Sequence, residues 1–382
     1  MRTWWYGWRE EIKHWIPFPH RTRERELEQR LELLLSAPPA LPRLNPEEQS
    51  MIGWITEQVQ RSNRNNVTRT QAYLNLYEEH PELHWAYLAH MVSRNGGWKM
   101  TDLKGDFFAP LFSLREARNF FLFLERSNWL IFQDAYPQLL VYHVSKKTNT
   151  PLFHLLPHFS VSVFMQAMWP WFWENRNSQL LTHALIVNEQ HYIEPRIVTH
   201  PYFREKVFQS IKYQAQALFH LNHILFPYTR EDEHPGLAGT IVQDFLDVHD
   251  RIAVGQHLYA ILFQTPGIHA HIWAWVSQTP HTGSRADYWP HLFTPQRPQN
   301  KLTGEKQKEA QVHAHASFVY SPHLVQAWPD YKEHPAPGDE DWCTSTEALH
   351  PLFREVSPEP YDIADEYVFM LNKLELLNNW LN

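Results

Sequence analysis

Between Glu47 and Phe263 the apolar side chains recur every three or four residues, and this spacing limits the fold more than any other property of the chain. Residues three and four apart share one face of an α-helix, so each such run must bury a stripe against its neighbours. Trp85, Leu88, Ala89 and Val92 make one stripe, and Ile241, Phe245, Val248 and Ile252 make another. Ser113 and Glu116 have the spacing of a capping box that opens the helix carrying Phe120, Phe121 and Leu124. Alternation with period two, the mark of a half-buried strand, is best in Ile268 to Val276 and Val312 to Tyr320. The expected fold class is therefore mainly α with few strands, and no internal repeat is visible.

Composition shifts divide the chain into three parts. Residues 1–46 read as an N-terminal Trp-rich helical arm followed by a Pro-rich connector, 47–278 as a single large helical body, and 279–382 as a loop-rich, acidic C-terminal part ending in a helix around Tyr361 to Leu381. In the arm, Trp4, Trp5, Trp8, Ile12, Trp15 and Ile16 fall within about 120° of a helical wheel, and Pro17 and Pro19 end that helix. Leu27, Leu31, Leu34 and Leu35 form the apolar face of a second one. The tryptophans need a home, which is the protein's own body, a protein partner, or a peripheral membrane contact through residues 4–16 with Arg2, Arg9 and Lys13 facing headgroups.

Charge and cysteine content exclude several classes of function. The formal charge is −8, but residues 330–382 hold twelve acids against Lys332, Arg354 and Lys373, so the rest of the chain is close to neutral. A neutral body has no field to gather a polyanion, and no nucleic-acid partner is expected. Arg61 to Arg69 is a local basic run that either holds an anion or is a solvated loop or helix start. Cys343 is the single cysteine, which leaves no internal disulfide and no multi-cysteine metal site. No run of eighteen apolar residues and no apolar leader stretch is present, so a cytoplasmic location is expected. The phosphate-binding glycine loops, the Gly-x-Ser-x-Gly elbow and His-Glu-x-x-His are all missing.

The candidate site rests on polar residues set in apolar surroundings. Arg94 to Gly105 holds three of the twelve glycines, and it reads as a loop after the helix ending at Val92, with Arg94, Asn95, Lys99, Asp102 and Lys104 available to a polar ligand. Asp134 stands in an otherwise apolar helix just before Pro137, where it is either buried and paired or caps a break made by the proline. Asn188 and Glu189 follow the apolar stretch Ala184 to Val187, and His154 and His158 flank Leu155 to Pro157. Arg94, Asn95, Lys99, Asp102, Lys104, Asp134, His154, Asn188 and Glu189 are thus expected to line one polar pocket in the helical body, taking a small polar ligand with no cofactor required. This makes a non-catalytic ligand-binding or protein-interaction protein the leading reading.

The 25 histidines raise a metal alternative. His249-Asp250, preceded by His220 and His223, follows the order found in HD-type phosphohydrolases, where imidazoles and a carboxylate hold a divalent metal that activates water. One His-Asp dipeptide is within chance at this composition, and Asp247 with Arg251 offers a plainer account as an i,i+4 ion pair on a solvated face.

Asn66 to Thr70, His84 to Gly105, Phe132 to Tyr142, Phe153 to Phe159 and Ala184 to Glu194 together resemble the YppC-like family of uncharacterised proteins from spore-forming Gram-positive bacteria. The Arg-Asn-Gly-Gly-Trp…Thr-Asp-Leu-Lys-Gly run carries most of the likeness, which spans residues 45 to 330. It implies a bacterial, cytoplasmic setting and transfers no activity, cofactor or catalytic residue.

Overall fold

The computed structural model describes residues 18–37, 41–106, 109–210, 223–229, 236–297, 319–338, 340–369 and 371. The Trp-rich segment 4–16, His220 and residues 372–382 lie outside the described residues.

The described chain is mainly helical. Its principal helices are α1 (Phe18–Ser36), α2 (Pro46–Ser62), α3 (Asn66–Glu79), α4 (His84–Asp102), α5 (Leu114–Thr148), α6 (Val163–Asn175) and α7 (Ser178–Ile193). After a hairpin of β1 (His223–Tyr228) and β2 (Gly236–Ile241) come α8 (Val248–Gln264) and α9 (Ile268–Gln278). Local chemistry sets the helix starts: Asn45 with Glu48, Asn65 with Thr68, and Ser113 with Glu116 each form a reciprocal capping box. α5 runs for 35 residues through Pro137 and stops where Asn149 takes a left-handed conformation, φ 52°. Pro137 makes no break, so of the two alternatives for Asp134 the buried and paired one holds. No described helix is long and apolar enough to cross a membrane.

Two expectations about local structure are corrected. Ile268–Gln278 is a helix, because Ile268, Ile272, Trp275 and Val276 at helical spacing are the positions that become buried. The strands lie instead at 223–228 and 236–241, paired antiparallel from His223 opposite Ile241 to Tyr228 opposite Gly236. All six β1 residues are buried, so the strand has no polar face and shows no alternation in sequence. Val319–Tyr320 does form a strand, two residues long and parallel to Phe293–Thr294.

The glycine-rich run is also not a loop. α4 continues to Asp102, and Gly97 serves helix packing: a Cβ there would lie 2.5 Å from Asn66 Oδ1 and 2.5 Å from His281 Nε2. The missing side chain lets α4 approach α3 and the 281 segment closely. Arg69, from the local basic run, is buried in an ion pair with Glu125 at 2.5 Å, so that run is a helix start carrying an internal salt bridge.

α1 packs on α6 through Leu27 and Leu31, both fully buried, and Arg30 pairs with Glu174 at 2.5 Å. C-terminal residues pack on the body too: the Trp342 ring stacks on His191 at 4.4 Å, and Asp341 accepts the Val163 N–H at 2.7 Å. Cys343 is buried, and burial followed by the nearby Asp341 charge pushes its thiol up to about 12, which leaves it a poor nucleophile.

Candidate functional site

α4, α5, α7 and α8 do not meet along their whole length. They leave a cavity of about 300 Å³, closed on one side by Ile224 of β1 and by Val242 and Phe245 after β2. Each helix offers one face. α4 contributes Leu88, Val92, Asn95, Lys99 and Asp102, and α5 contributes Phe120, Phe123, Leu124, Ser127, Asn128 and Ile131. Ile186, Glu189, Gln190 and Ile193 come from α7, with Arg251, Val254 and Leu258 from α8. The wall is mostly apolar and aromatic, and its charged groups are Lys99, Asp102, Glu189, Arg251 and Arg285.

Most of those polar groups are already matched. Asp102 and Arg285 form a bidentate pair, Nε to Oδ1 at 2.7 Å and Nη2 to Oδ2 at 2.6 Å, and Arg285 also donates to Tyr288 Oη at 2.6 Å and to Tyr367 Oη. Arg251 donates to Gln190 Oε1 at 2.9 Å and to the Phe245 carbonyl at 2.7 Å, and pairs with Glu194. Asn95 is occupied as well: its Nδ2 donates to the Leu225 carbonyl at 2.9 Å and its Oδ1 accepts the Leu225 N–H at 2.7 Å, so one side-chain amide docks β1 onto α4. Glu189 accepts from the Gln190 amide at 3.1 Å and from Trp85.

Lys99 is different. Among the described residues its ammonium has no hydrogen bond and no ion pair within the cavity it lines. Burial, followed by the Arg285 charge, brings its pKa down to about 8, against a smaller opposing effect of Asp102. Glu189 moves the other way, pushed up to about 8 first by burial and further by Asp134. At neutral pH the cavity therefore holds one mostly neutral carboxyl, two internally compensated ion pairs, and one uncompensated cation.

The structure brings together only part of the set expected from sequence. Asn95, Lys99, Asp102 and Glu189 line the cavity. Arg94 points elsewhere, donating to the Thr279 carbonyl at 2.6 Å and lying 4.4 Å from the Trp275 ring. Lys104 sits 4.4 Å over the Trp328 ring. His154 is an exposed partner of Glu48 at 2.8 Å. Asp134 and Asn188 belong to a separate closed network: Asp134 Oδ2 accepts from Asn188 Nδ2 at 2.6 Å and from Gln138 Nε2 at 3.0 Å. Asn188 Oδ1 accepts from Ser162 at 2.6 Å and Trp342 at 2.9 Å, and Trp169 donates to Gln138 Oε1 at 2.8 Å. Burial lifts the Asp134 carboxyl to about 7 against the pull of these hydrogen bonds.

Among the described residues the metal alternative is not assembled; His220 lies outside them. His223 is buried in β1, whereas His249 and Asp250 are exposed in the first turn of α8, where their N–H groups donate to Asp247 Oδ1 at 2.6 and 3.2 Å. The His-Asp pair is thus part of a capped helix start. Arg251 is turned inward to Gln190 and Glu194, so the solvated Asp247–Arg251 ion pair is corrected too.

Arg251, Arg285, Gln190, Ser127 and Asn128 are cavity residues that the sequence reading missed. A signal existed for Arg251: with Val254 and Leu258 it stands at helical spacing on one face. The α4 stripe of Leu88 and Val92 likewise continues to Asn95, Lys99 and Asp102, turning from apolar to polar along one helix. Arg285 comes from a loop distant in sequence, and no local pattern announces it.

The family model described as "Protein of unknown function (DUF2515)" matches residues 61–381. The uncharacterized protein YppC of Bacillus subtilis (strain 168) is 42% identical over 248 residues, covering 64% of this chain and 76% of that protein. No solved structure matches.

Proposed function

The chain belongs to the DUF2515 family of proteins of unknown function, and on that premise we propose that it is a non-catalytic binding protein whose cavity takes a small, largely apolar ligand bearing one acidic group. A bacterial setting for it is supported by the Bacillus subtilis relative. The observation that carries the reading is Lys99, the one charged group of the cavity wall left without a partner among the described residues. A half-buried cation with no hydrogen bond or ion pair is poorly solvated, and an anionic group entering beside it offsets that cost. The aromatic and aliphatic walls set by Trp85, Phe123, Ile186 and Leu258 suit the rest of the ligand. A dry cavity of about 150 Å³ holds one benzene, so this one has room for a body of about two rings.

Calorimetric titration of the full chain with 2-naphthylacetate and with its neutral amide tests this. The carboxylate is expected to bind at least about tenfold more tightly, since a charge-assisted hydrogen bond contributes about 1.5–3 kcal/mol. Lys99→Met, which keeps an unbranched side chain one atom shorter and without charge, should erase the preference while leaving the helical circular dichroism intact. Equal binding of acid and amide, or a preference that survives Lys99→Met, would overturn the proposal.

A further inference from the structure

Away from the cavity, the end of α3 meets the C-terminal part of α5. Glu79 is the last residue of α3 and His80 caps it, while Pro81 turns the chain toward α4. His143 faces them from α5, with its Nδ1 3.0 Å from His80 Nε2 and 3.4 Å from Glu79 Oε2. Taking one ligand atom from each residue, all three lie within 4.8 Å of one another, and this is the one such grouping of histidine and carboxylate among the described residues.

Hydrogen bonding alone does not satisfy that convergence. His143 Nδ1 offers either one lone pair or one proton, yet two atoms face it. If it accepts from His80, its lone pair is set against the Glu79 carboxylate; if it carries the proton, His80 and Glu79 compete for it. A cation at the centre meets all three lone pairs at once. Bonds of about 2.0–2.2 Å to nitrogen and oxygen in a tetrahedral zinc site place neighbouring donor atoms about 3.4 Å apart, close to the two separations found here. The surroundings suit a site of this kind. His80 and His143 are both 6% exposed, the Trp54 ring stacks on His143 at 6.3 Å, and Tyr142 meets His80 edge-on at 5.7 Å. Glu79 keeps 46% of its side-chain surface exposed, which leaves a path from solvent. Lys147, now 3.4 Å from Glu79 and 61% exposed, is free to swing away as the metal enters.

We propose that Glu79, His80 and His143 bind one divalent transition-metal ion of the zinc type, pinning the end of α3 to α5 and leaving one position for water. The assignment is independent of the cavity and of Lys99.

The test uses the full chain stripped with a chelator, titrated with Zn²⁺ against a chromophoric competitor and separately with Co²⁺. One equivalent of Zn²⁺ should bind, and Co²⁺ should give the intense visible bands of a four-coordinate site. Loss of an outer-shell partner of a zinc ligand weakens binding by about 10–100-fold, so His143→Ala, which removes a ligand itself, should weaken it by at least about 100-fold. Glu79→Gln lies at an exposed position and should fold normally while abolishing the Co²⁺ spectrum. The surface histidine variant His154→Ala should change nothing. Absence of a stoichiometric site, or a site that survives both Glu79→Gln and His143→Ala, would overturn the proposal.

Discussion

Asn188 and Glu189 are neighbours on α7, yet they face different interiors. Asn188 turns toward α5 and α6, where Asp134, Gln138, Ser162, Trp169 and Trp342 use both ends of every amide in the set. Glu189 faces a cavity whose wall also carries Lys99, which has no hydrogen bond or ion pair among the described residues. In sequence the two regions look alike, as a polar residue interrupting an apolar run. What separates them is whether complementary groups arrive from elsewhere in the chain. Trp342 and Ser162 arrive for Asn188, and no described residue arrives for Lys99. Polarity in a core is thus no sign of a ligand site, whereas an uncompensated charge beside a void is one.

The contrast is sharpest at the Asp102–Arg285 pair, which stands on the cavity wall but behaves as closed structure. Removing one member of a buried pair leaves the other charge stranded, so Asp102→Ala should lose about 3–5 kcal/mol of unfolding free energy in urea. A loss below about 1 kcal/mol, the range of exposed pairs, would mean that cavity water already solvates Arg285 and that this wall is open. Asn188→Ala comes next. It strands the Trp342 N–H and the Ser162 hydroxyl and takes a donor from Asp134, so about 3 kcal/mol is expected, the upper end for an unmatched buried group. The same denaturation curves should show Lys99→Met to be neutral or stabilising, because that change removes a half-buried, partly desolvated charge with no hydrogen-bond partner to strand.

Much of the architecture was legible because helices announce themselves locally. The Ser113–Glu116 box, the stripe from Trp85 to Val92 and the buried pair Leu27 and Leu31 depend on neighbours within one or two turns. The hairpin was not legible, since a strand buried on both faces has no alternation, and its docking to α4 depends on Asn95 reaching Leu225, 130 residues away. Arg94 to Gly105 was misread for a related reason. Glycines in a helix look like a terminus unless one knows that Asn66 and His281 press against Gly97. The cavity was half legible: the polar continuation of the α4 stripe through Lys99 and Asp102 can be read on a helical wheel, but Arg285 becomes a neighbour only once the 281–294 segment has folded back.

The smallest expected effect is also the most discriminating, because it reports the two regions at different pH. Glu189 has its pKa raised from 4.5 to about 8, so the folded state holds a proton that the unfolded state has lost. Its contribution is fully present below pH 4.5 and disappears as pH rises through 8. Asp134, raised from 3.8 to about 7, acts in the same direction but is exhausted one unit earlier. Lys99, lowered from 10.5 to about 8, reverses the sign: between those values the unfolded chain binds the extra proton, and stability rises with pH. Below pH 6.5 buried His84, His183 and His191, each lowered to about 4, make stability rise with pH and outweigh the two carboxyls, so melting temperature should fall only between pH 7 and 8 and recover between 8 and 9. Glu189→Gln should reduce the fall between pH 7 and 8, where Asp134 contributes less than Glu189, and Lys99→Met should remove the recovery above 8. Saturating 2-naphthylacetate should also suppress that recovery, because an anion beside Lys99 keeps its proton on in the folded state. A recovery that persists in Lys99→Met would place its origin outside the cavity and leave Glu189 as the only titrating group that distinguishes the two faces of α7.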